Sequence, residues 1–138
     1  MNEVKKYLQS ARLMRLKIEN KQSEILELKN KLGVHSPSMD TIPCDSHSNS
    51  QSLILYVIEK EDELNNDILC LVKERQKVID LIDKVVDPLD YQILYSRYIL
   101  EESIRIVARK LNLDERTVRR RTNRTCYKLC EICDENVR

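Results

Sequence analysis

Two clusters of chemically capable side chains meet in the stretch LDERTVRRRTNRTCYKLCEIC, residues 113–133. Arg116, Arg119, Arg120, Arg121 and Arg124 lie within nine residues. A guanidinium presents a rigid fork of N–H donors that fits phosphate, and the same fork fits the O6 and N7 edge of guanine. Directly behind stand Cys126, Cys130 and Cys133, spaced four and three apart. Three thiolates at such spacing can hold an iron–sulfur cluster. A third set, His35, Cys44 and His47, offers nitrogen and sulfur ligands for zinc. Both histidines stand in that last set, and the carboxylates are spread along helical surfaces. No base, nucleophile and orienting acid converge, so the expected class is a non-enzyme without a cofactor.

The arginines need a rigid element to aim them, and residues 103–129 supply the pattern of a helix-turn-helix. Ser103 is a cap for a helix over 103–111. Ala108 is the small residue wanted where two helices cross. Val107, Leu111 and Val118 pin the crossing, and Leu129 closes the core. The tight turn Asn112-Leu113 needs one residue at positive φ, which Asn tolerates better than most. A second helix then runs over 114–133, with Asp114 as its cap. At 3.6 residues per turn Val118, Thr122, Thr125 and Leu129 face the core. Glu115, Arg116, Arg119 and Asn123 fall on the outer side, where a recognition helix reaches base edges. Arginine suits guanine, Asn suits adenine, and Glu accepts from cytosine. Arg120, Arg124 and Lys128 are placed for phosphates. Arg121, near the inner edge, has two roles open to it: phosphate, or an acid on the preceding helix.

The same helix disposes of the cysteines. Cys126-x-x-x-Cys130-x-x-Cys133 resembles the radical S-adenosylmethionine motif, which needs a loop wrapped around iron and a strand-rich barrel. Here the three fall on one continuous helix, on the apolar side with Leu129. They are expected as buried thiols acting as small hydrophobes, with no metal. The zinc set is weak for another reason: its three residues lie in the Ser-rich segment GVHSPSMDTIPCDSHSNSQ, 33–51, with no fourth ligand fixed nearby.

Upstream, two long helices carry apolar seams. Val4, Ala11, Ile18, Ile25 and Leu32 repeat every seven residues, with Tyr7, Met14 and Leu28 beside them and Lys21 as an exception. Ile54, Val57, Leu64, Ile68, Leu71, Val78, Ile82 and Val85 form the second seam, capped by Ser52 and interrupted by Glu61 and Arg75. Each seam needs a partner: the chain's own other helix, or a homodimer through helices 2–32 and 52–86. Asp87-Pro88 then breaks the second helix and starts another, 88–100. The expected domains are a helix over 1–33, a mobile linker over 34–51, a helix over 52–87 and a helix-turn-helix domain over 88–138. The last is expected to stand without the first helix.

Composition agrees with an all-α chain. There is one Gly in 138 residues and 34% of residues are charged, which disfavours hairpins and phosphate-cradling loops. The N-terminus shows no signal peptide, and the longest apolar run, LILYVI at 53–58, is too short to span a bilayer. A cytoplasmic protein with reduced thiols is expected. Net charge is +1, yet Arg105–Lys128 holds nine basic and two acidic residues, +7, which leaves −6 elsewhere. An anion-binding face on an acidic body follows.

Residues 90–129, DYQILYSRYILEESIRIVARKLNLDERTVRRRTNRTCYKL, resemble sigma-factor region 4. They resemble more closely the phage late-gene transcriptional activators of the ArpU/RinA type. The matching residues are Tyr91, Leu94, Arg97, Tyr98, Val107, Ala108, Leu111, Val118, Arg120, Arg124 and Leu129. Asn112 stands at the usual turn glycine, Ser103-Ile104-Arg105 replaces an aromatic-acidic helix start, and Arg121 an aliphatic residue. The resemblance implies double-stranded DNA binding in transcription control in a bacterial host cell, with RNA polymerase as an expected partner. Two other functions fit such a chain. One is a DNA-packaging adaptor like a phage terminase small subunit, and the other is a coiled-coil interaction protein that binds no DNA.

Overall fold

The computed structural model describes residues 2–31 and 47–137. The architecture is all-α, and no strand occurs among the described residues. The helices are α1 (Asn2–Lys31), α2 (His47–Asp83), α3 (Pro88–Leu94), α4 (Ile104–Leu111) and α5 (Glu115–Val137); α3 continues into a π-helical turn, Tyr95–Ile99. The expected linker falls mostly on 32–46, outside the described residues, as do His35 and Cys44. His47 opens α2, ahead of the expected cap Ser52.

The chain divides into two units, Met1–Arg15 with Lys73–Arg138, and Leu16–Val72. This differs from the boundaries read along the sequence, because the division cuts through α1 and α2 instead of running between helices. In the second unit α1 and α2 run antiparallel. Lys21 Nζ is 3.3 Å from Asp67 Oδ2, and Lys29 Nζ is 3.1 Å from Glu61 Oε1, so an advance along α1 is a retreat along α2. Lys21 and Glu61, two of the three polar interruptions of the seams, each meet an opposite charge there. Val57 and Leu64 are buried, while Ile54, expected in the seam, is 44% exposed.

In the first unit the seam of α1 keeps Val4 and Ala11 but takes Leu8 in place of Tyr7. Val4, Leu8 and Ala11 are buried, whereas Tyr7 is 38% exposed. A heptad seam suits a single partner helix. Here α1 faces several elements, and Leu8 enters a cluster with Val78 and Ile82 of α2, Tyr98 and Ile99 of the π turn, and Cys126 and Leu129 of α5. The C-terminal helices therefore share their core with the first turns of α1, a contact that the expectation of an independent C-terminal domain did not include.

A second cluster, Ile93, Val107, Ala108 and Val118, joins α3, α4 and α5, with Leu89, Leu111 and Leu113 packed against it. Asp87 caps α3: its Oδ1 accepts from the Leu89 and Asp90 N–H groups at 2.8 and 3.3 Å. Those bonds hold the Asp87 carboxyl below its ordinary value of 3.8, with help from Arg121 and Arg124 nearby. A depressed folded-state value means that this stabilisation is present above pH 3.8 and is lost as pH falls through the lower folded value. Asp87→Asn should therefore melt earlier than wild type at neutral pH, and the two melting curves should converge in acid. A difference that persists unchanged at acid pH would mean the carboxylate charge is not what stabilises this helix start.

Candidate nucleic-acid interface

Helices α4 and α5 build the exposed basic face from local rules. Ser103 Oγ accepts from the Ile106 N–H at 3.3 Å and starts α4. Asn112 ends it in the left-handed region, φ 54° and ψ 46°, and the Leu113 N–H donates to Ala108 O at 2.9 Å. Helix α5 begins two residues later, where the Val118 N–H donates to Asp114 O at 3.0 Å. Ala108 and Val118 are buried in the crossing, so the turn and the small residue act together. The expected sorting of α5 is found. Val118, Thr122, Thr125 and Leu129 are buried. The Thr122 and Thr125 hydroxyls donate to Val118 O and Arg121 O at 2.8 and 2.7 Å, which satisfies both inside the core.

Glu115, Arg116, Arg119 and Asn123 are all exposed on the other side, with Arg120, Arg124 and Lys128. Arg119 lies 3.8 Å from Glu115, a loose pair one turn apart. Lys5 of α1 donates to Asn123 Oδ1, so the amide expected to face adenine already has a protein partner on one of its atoms. Arg105 and Arg109 of α4 extend the exposed basic surface.

Of the two roles open to Arg121, the structure shows the internal one. Its Nη1 is 3.1 Å from Asp90 Oδ1 and 3.9 Å from Asp87 Oδ2, and its side chain is 26% exposed. Asp90 is itself buried, 3% exposed, and also receives Arg124 Nη2 at 3.4 Å. The phosphate role expected of Arg121 thus gives way to closing α5 on α3, because a buried carboxylate requires a partner. Arg124 divides its guanidinium between Asp90 and solvent.

The cysteines fall as the helix dictates. Cys126 is fully buried, and Cys130 and Cys133 pack against the same core. Burial pushes the Cys126 thiol and the adjoining Tyr98 hydroxyl above their ordinary values. None of Cys70, Cys126, Cys130 and Cys133 is in a disulfide. No group of three His, Cys, Asp or Glu side chains close enough to hold a metal ion occurs among the described residues. Nor is any described helix long and apolar enough to cross a membrane.

Asp90 and Lys5 carry the geometry here without having been singled out for it by sequence. Asp90 had one signal, its place in the first turn of a helix facing an arginine-rich one. Lys5 had none, since its position depends on where α1 docks. No protein-family model matches the chain, no curated protein matches it, and no solved structure matches it.

Proposed function

We propose that the chain is a sequence-specific DNA-binding transcriptional regulator, encoded by a phage or prophage and acting in the bacterial cytoplasm, that reads a major groove with α5. One observation carries the proposal: Arg116, Arg119, Arg120 and Asn123 share the exposed side of a helix whose start is fixed by a buried crossing and a left-handed turn. Glu115, Arg116, Arg119 and Asn123 face bases, while Arg120, Arg124 and Lys128 hold phosphates. RNA polymerase is the proposed protein partner. A homodimer is proposed through the long helices, where Leu55, Tyr56 and Ile58 of α2 are exposed apolar side chains on the second unit.

The test is a salt titration of binding to a selected duplex and a scrambled one. A guanine-reading arginine contributes about 1–3 kcal/mol of discrimination, so Arg119→Ala weakens the selected site more than the scrambled one. Arg120→Ala serves as the phosphate variant, since Arg124 is partly tied to Asp90. It weakens both duplexes alike and flattens log affinity against log salt by about 0.9. Equal losses from both variants on both duplexes reduce α5 to a non-specific basic surface. A wild-type protein that binds no duplex at low salt removes the proposal and leaves an interaction protein. A ring-shaped oligomer favours the packaging adaptor.

A further inference from the structure

A groove of about 330 Å³ opens beside the base-facing side of α5, and four elements line it. Lys5 and Gln9 come from α1, Arg97 from the π-helical turn, Ile104 from the start of α4, and Arg119 and Asn123 from α5. Three of these side chains are basic, and no acidic residue lines the groove. The acids of the loop before α4 are already engaged: Glu101 by Arg12 and Arg15, and Glu102 by Lys110. Lys5 gives one N–H to the neutral Asn123 amide, which leaves the ammonium charge uncompensated and further donors available. Arg97 lies with its guanidinium carbon 6.0 Å from the Tyr98 ring centre, a contact that orients the group without neutralising it.

Like charges converging on one groove repel unless an anion joins them. We propose that this groove is a backbone-phosphate site, in which Lys5 and Arg97 clamp one phosphate of the DNA strand flanking the bases faced by Arg119 and Asn123. The first turns of α1 are then part of the DNA interface. The proposal rests on the DNA-binding reading and adds to it a residue far from the helix-turn-helix in sequence. The packing supplies the rigidity such a clamp needs: Val4 and Leu8, on either side of Lys5, are buried in the core shared with α5.

Lys5→Gln and Arg97→Gln should each flatten the salt dependence of binding, and the double variant by about 0.9 for the one shared phosphate, with equal loss on selected and scrambled duplexes. Lys5→Arg should keep the wild-type slope. Duplexes carrying one neutral methylphosphonate at successive positions locate the contact with unaltered protein. One position near the recognised bases should weaken wild type several-fold and leave Lys5→Gln indifferent. Wild type that binds DNA with variants of unchanged slope, and no position to which Lys5→Gln has become indifferent, overturns the clamp alone. Wild type that binds no duplex overturns both readings. Titration with inorganic phosphate distinguishes a free anion: saturable binding lost in Lys5→Gln, with the DNA slope unchanged, assigns the groove to free phosphate and also overturns the clamp.

Discussion

Leu8→Ala destabilises the C-terminal helices by about 2–5 kcal/mol, the cost of a large-to-small change at a fully buried site. The substitution lies more than a hundred residues before α5, yet its effect should appear there. Leu8 belongs to the cluster that holds Tyr98, Cys126 and Leu129, and its removal leaves a cavity lined by α2, the π turn and α5. Tyr7→Ala, one residue away and half-exposed, should cost far less, which separates packing from loss of helix propensity. Deleting residues 2–15 should strip one wall from that core and prevent α3–α5 from folding cooperatively. Denaturant unfolding followed by circular dichroism measures the first effect, and amide exchange along α5 measures the second. A deletion variant whose α5 exchanges as slowly as in the full chain would show that the C-terminal helices do stand alone.

Asp90→Ala should act on stability and on DNA binding in opposite directions. It removes the buried acceptor of Arg121 and Arg124. Breaking a fully buried pair costs about 3–5 kcal/mol. The loss here should be about 2–3 kcal/mol, since the Arg121 side chain stays 26% exposed and Asp87 remains 3.9 Å away. The same change releases two guanidinium groups beside the proposed phosphate-binding face. Affinity for any duplex should rise, and the salt slope should steepen by about 0.9 for each phosphate newly held. The double variant Asp90→Ala with Arg121→Ala should recover part of the stability and lose part of the added slope. Unchanged melting of Asp90→Ala would mean that α5 closes on α3 by apolar packing alone. Unchanged affinity would mean that Arg121 and Arg124 do not reach the strand even when freed.

Leu8 and Asp90 both act on residues far from them along the chain. Local signals were legible in the sequence because their physics is local. Ser103 and Asp87 cap the helices that follow them, Asn112 adopts the left-handed turn, and Val118, Thr122, Thr125 and Leu129 face inward at helical spacing. Each depends on hydrogen bonds or periodicity within about one turn to a few turns of helix. The exposed side of α5, with Glu115, Arg116, Arg119 and Asn123, follows from the same 3.6-residue repeat. The sequence by itself therefore determined the all-α class, the helix-turn-helix spacing and the outward residues. Tertiary structure decided which face of α1 is buried, since Leu8 rather than Tyr7 enters the core once α1 meets several elements instead of one. It decided the state of Arg121, because a charge at the edge of a helix turns inward only if a buried acid such as Asp90 awaits it. It also brought Lys5 and Arg97 to one groove beside Asn123. No periodicity encodes that meeting: the contact between Lys5 and Asn123 spans 118 residues and exists only after the helices have packed.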